Sequence, residues 1–84
     1  MADYAALAAI HRAIVADTAK IGRALTHARR AYADAKQAGA TTERLAYLDA
    51  VREQTEGAYR AGCERAEAAN AAATAANPNA EVTR

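Results

Sequence analysis

From Asp3 to about Ala38, apolar or small residues return at alternating spacings of three and four: Tyr4, Leu7, His11, Ile14, Thr18, Ile21, Leu25, Ala28, Tyr32 and Ala35. A helix turns once in about 3.6 residues, so this rhythm draws one continuous stripe along one side of it, as in a coiled-coil heptad. The pattern stops at Gly39, the residue type that most readily takes a left-handed cap, and Lys36 stands in the preceding turn, where a cation suits the negative helix end. Thr41 or Thr42 is then placed to cap a second helix, with Glu43 near its positive end. A second stripe follows: Leu45, Leu48, Thr55, Tyr59, Gly62, Ala66, Ala69 and Ala73. Arg52 falls on it and Val51 beside it, which loosens the register there.

These signals predict an all-α chain: a helix over about 3–38, a turn over 38–42 and a helix over about 42–76, together a helical hairpin within 1–77. Asn77-Pro78-Asn79 ends the second helix, because a proline disfavours helical geometry in the residue before it. Residues 78–84 are expected to form a disordered C-terminal tail with nothing to bury.

A turn this short makes the helices antiparallel neighbours, so residue n faces a residue near 80 minus n. Leu7 then meets Ala73, Ile14 meets Ala66, Thr18 meets Gly62, Ile21 meets Tyr59, Leu25 meets Thr55 and Tyr32 meets Leu48. With Leu45 these are the expected seam residues. Large side chains on the first helix mostly oppose small ones on the second, which permits close approach without voids. On the second helix Arg52, Glu56, Arg60 and Glu64 follow at i, i+4, expected as a solvent-facing ladder of ion pairs.

Composition sharpens the picture. Alanine fills 28 of 84 positions, while leucine, isoleucine and valine number four, three and three. Alanine is the best helix former, so helix is favoured but the core is thin. The seam cannot cover everything: Ile10 and Val15 flank the first stripe and Tyr47 and Val51 lie off the second, a candidate partner face. The expected solution is a dimer of hairpins closing a four-helix bundle, or a place in a larger complex. Gly22, Gly57 and Gly62 fall inside helices, and only Gly62 lies on the seam as drawn. Arginine outnumbers lysine nine to two, which with the alanine excess points to a GC-rich genome, such as that of an actinobacterium or its phage.

Eleven basic and ten acidic residues give a formal charge of +1, no global pull toward nucleic acid or anionic membrane. Locally, Lys20, Arg23, His27 and Arg30 share an outward face of the first helix, with no acid between Thr18 and Ala33. That face could follow a phosphate backbone, making a nucleic-acid-associated accessory protein the alternative function. The apolar run from Tyr4 to Ile10 is too short to span a bilayer, and no export signal is read at the start. With Cys63 as the only cysteine, a cytoplasmic setting is expected, or a virion-associated one if the chain is of phage origin.

Catalytic chemistry is poorly supplied. There is no serine, and Cys63 has no evident histidine base. His11 and His27 stand 16 residues apart, outside His-x-x-x-His or Glu-x-x-His spacing, and the acidic pairs Glu53/Glu56 and Glu64/Glu67 lack a histidine. With no strand expected, no glycine-rich nucleotide cradle follows one. No catalytic, cofactor or metal residue is expected, and the chain reads as a non-enzymatic structural or protein-interaction module.

Overall fold

The computed structural model describes residues 3–79, so most of the expected tail lies outside the described residues. Among those residues the chain forms two helices and no strand: α1, Tyr4–Gln37, and α2, Thr42–Ala76. They pack along each other into a slab 59 × 22 × 15 Å.

Each end has a local cause. The Asp3 side chain accepts from the Ala5 amide at 3.2 Å and so caps α1. At the other end Ala40 N–H donates to Ala35 C=O at 3.0 Å and Gly39 N–H to Lys36 C=O at 3.2 Å, the bond pair of a Schellman cap. Gly39 takes φ +78°, the left-handed geometry this cap needs and glycine tolerates without strain. Thr41 then accepts the Arg44 amide at 3.1 Å to start α2. Asn77, extended ahead of Pro78, ends it, and its side chain accepts from the Asn79 amide at 3.0 Å.

The core lies along the line between the helices. Leu25 and Leu48 are 5% and 8% exposed, with Ala73, Thr18 and Gly62 also buried. In heptad letters, Thr18 and Leu25 occupy position a of α1, with Ile14 and Ile21 at d, while Leu48 and Gly62 occupy d of α2. The closest approach is at Thr18 and Gly62, where a Cβ on the glycine would stand 2.7 Å from Thr18 Oγ1. That hydroxyl donates to Ile14 C=O at 2.7 Å, which satisfies a buried polar group within its own helix.

One expectation is extended and one corrected. The ring of Tyr59 lies against Gly22, where a Cβ would lie 2.9 Å from Tyr59 Cε1. Gly22 therefore has a packing role missed by the stripe, because a ring as long as tyrosine's leans past its own level onto the neighbouring position. The ladder on α2 is not a plain solvent face. Its Arg52 and Glu56 side chains are only 27% and 33% exposed, and Glu56 reaches across to Arg29 of α1 at 3.6 Å. The Arg60 link runs back to Glu56 at 3.8 Å, and among the described residues Glu64 joins no ion pair.

Candidate interaction surfaces

Closing the seam divides the rest of the hairpin into two broad flanks and two outer edges. In an antiparallel pair, position e of one helix lies beside e of the other, and g beside g. The Arg29–Glu56 contact fixes this assignment, since both residues are at e.

The e flank is polar and uneven. Tyr59 stands over Gly22 between two open grooves of 340 and 330 Å³, with Cys63 half-buried at the wall of both. Val15 and Glu67 border the first groove, Arg60 and the Arg29–Glu56 pair the second. Beside them Arg52 donates to Asp49 Oδ1 at 3.0 Å and to Glu56 Oε2 at 2.9 Å, with Glu53 3.7 Å away. An arginine can occupy a seam position in this way, its stem along apolar surface and its head turned out to carboxylates. The hydrogen bond to Asp49 holds its guanidinium above the ordinary arginine range; the charges of Asp49, Glu56 and Glu53 add to that, and desolvation opposes it.

The g flank is different. Positions g and c present exposed Ala13, Ala24 and Ala31 on α1 and Ala58, Ala68 and Ala72 on α2, with Asp17, Lys20, His27, Asp34, Arg44 and Arg65 interspersed among them. Ile10 stands toward one end, 51% exposed, and half-buried Val51 with Tyr47, 61% exposed, toward the other. Arg44 lies over the Tyr47 ring at 5.6 Å.

The four residues of the candidate partner face are thus divided. Ile10, Tyr47 and Val51 belong to the g flank, whereas Val15 lies beside the grooves of the e flank. Of the candidate seam residues, Leu25, Leu48 and Gly62 are buried; Leu7, Ile14, Ile21, Tyr32, Leu45 and Ala66 are half-buried; Tyr59 is 37% exposed. Lys20, Arg23, His27 and Arg30 are all exposed on α1. Among the described residues Lys20, Arg23 and Arg30 join no ion pair, whereas nearby Arg29 turns to Glu56. The sequence signal for that turn is the opposite charge of Arg29 and Glu56 at matching e positions, visible only once the helices are paired.

His11 is half-buried on α1 and His27 exposed. Among the described residues, no group of three or more His, Cys, Asp and Glu side chains could hold a metal ion, and no helix is long and apolar enough to cross a membrane. No protein-family model, no curated protein and no solved structure matches this chain.

Proposed function

We propose that the chain is a non-enzymatic structural or protein-interaction module, working by self-association as a dimer of hairpins that closes a four-helix bundle, or as a small subunit of a bacterial or phage assembly. Its setting would be the cytoplasm, or a virion if the source is a phage. The observation that carries this reading is the thinness of the core. Among the described residues no large side chain is fully buried, while Ile10, Val15 and Tyr47 stand about half or more exposed. A hairpin with one narrow seam gains stability by covering such surface with another protein.

The test is a thermal melt of the full chain across a hundredfold range of concentration. Association that stabilises the fold raises the midpoint with concentration by mass action. A sharp melt with a midpoint independent of concentration, together with the mass of one chain, removes the self-associating form.

A second reading has its own support. The exposed row of Lys20, Arg23 and Arg30 beside His27, without ion pairs among the described residues and on a helix with six basic and two acidic residues, suits a phosphate backbone. Changing both Arg23 and Arg30 to Glu should then abolish a duplex-DNA mobility shift measured at low salt. No shift of the unmodified chain even at low salt ends this reading.

A further inference from the structure

The g flank is broad, and its small side chains let another helix approach closely. The geometry points to a second copy of this chain as its occupant, the two hairpins related by a twofold axis crossing the flank at the level of Lys20. This deepens the self-associating form of the function proposed above and rests on it.

Position along the slab supports the choice. With Thr18 opposite Gly62, Val51 lies level with Arg29 of α1, so Ile10 and Val51 stand at nearly equal distances on either side of Lys20. A twofold axis there sets Ile10 of each copy against Val51 of the other, with Tyr47 one turn beyond. The same operation sets the two Lys20 side chains near each other at the axis and brings Asp17 of each copy toward Lys20 of the other, an opposite-charge exchange that offsets the like-charge encounter. Apolar groups of similar size that exchange places under the rotation are what an isologous interface requires.

Area agrees. The broad face of a slab 59 by 22 Å offers room for a standard interface, which needs about 800 Å² from each partner. The e flank is a poorer surface for a second copy. Covering it would take the Arg29–Glu56 pair and the Arg52 cluster out of water, at a desolvation cost their attraction need not recover.

Three proteins in multi-angle light scattering, with helicity followed by circular dichroism, test the assignment: the unmodified chain, Ile10→Glu and Val15→Glu. Both substitutions lie outside the seam. The expected result is twice 8.8 kDa for the unmodified chain and for Val15→Glu, and half that mass for Ile10→Glu with helicity kept. A cross-link tests the register independently of any loss of fold. In Ile10→Cys/Val51→Cys/Cys63→Ala, the two thiols of one chain are about 30 Å apart along the slab, far beyond disulfide reach. Mild oxidation should therefore give a covalent dimer that reductant dissolves. A dimer that survives Ile10→Glu but separates with Val15→Glu overturns the flank assignment and leaves self-association standing. A dimer that does not cross-link, or a stoichiometry other than two, overturns the twofold arrangement. A folded monomer of the unmodified chain overturns the inference and the self-associating reading together.

Discussion

Replacing each helical glycine by alanine separates two opposing effects at three sites. In a helix interior alanine gains about 1 kcal/mol over glycine, because it restricts the unfolded chain. At Gly57 nothing lies within 4 Å of an added Cβ, so Gly57→Ala should be stabilising by that whole amount. At Gly62 the new methyl would stand 2.7 Å from Thr18 Oγ1 and 3.0 Å from Cγ2. Thr18 is 7% exposed, and its hydroxyl is held to Ile14 C=O, so relief requires the helices to separate. Overpacking of this kind costs about 1 to 3 kcal/mol, leaving Gly62→Ala destabilising by up to about 2 kcal/mol net of propensity. Gly22 falls between them. Its clash is with the edge of the Tyr59 ring, which is 37% exposed and free to swing outward, so Gly22→Ala should be close to neutral. Urea titrations followed by far-UV circular dichroism, all at one protein concentration, give the order of the three midpoints. Thr18→Ala should rescue Gly62→Ala, since it removes the atoms in the way, and the double-mutant cycle should show coupling of about 1 kcal/mol or more. A Gly62→Ala variant as stable as Gly57→Ala would refute the close approach that sets the register of the hairpin.

Other substitutions probe separate links. Leu25→Ala, at the best-buried aliphatic, should cost about 2 to 5 kcal/mol and lower the urea midpoint more than the same change at exposed Ile10. Thr41→Ala removes the acceptor for the Arg44 amide and should cost about 1 kcal/mol, read in the same titration, while Thr42→Ala should cost less because Thr41 is the cap. For Arg52 the folded value is raised, so its linked stabilisation is present below the unfolded value and lost only as pH rises through the folded one. Both lie beyond mildly alkaline buffer, so raising pH from neutral into that range should produce no Arg52-dependent loss of stability, checked by comparing melts of the unmodified chain and Arg52→Gln.

The hairpin was legible because its signals are local and agree with one another. Stripes of three-and-four spacing say which side of each helix packs, and Gly39 followed by Thr41 says where one helix stops and the next starts. A stripe fixes direction but not reach. That is why Tyr59, placed on the packed side, reaches Gly22 as well, a contact the stripe does not show. The ladder on α2 was misread for a related reason: i, i+4 arithmetic treats a helix as if alone, and Glu56 found its cross-helix partner only when Arg29 was brought to the same flank. The partner face shows the same limit. Ile10, Val15, Tyr47 and Val51 look alike when apolar residues are counted helix by helix, yet a flank exists only once two helices are joined. Joining them sends Val15 to the grooved, ion-paired side and leaves the other three on the side where alanines are interspersed with charges outside those ion pairs. Apolar exposure alone therefore did not locate the surface for a second copy; what separates the flanks is that the charges of one are tied to each other across the two helices, whereas Asp17, Lys20 and Arg65 on the other stand exposed outside those ion pairs.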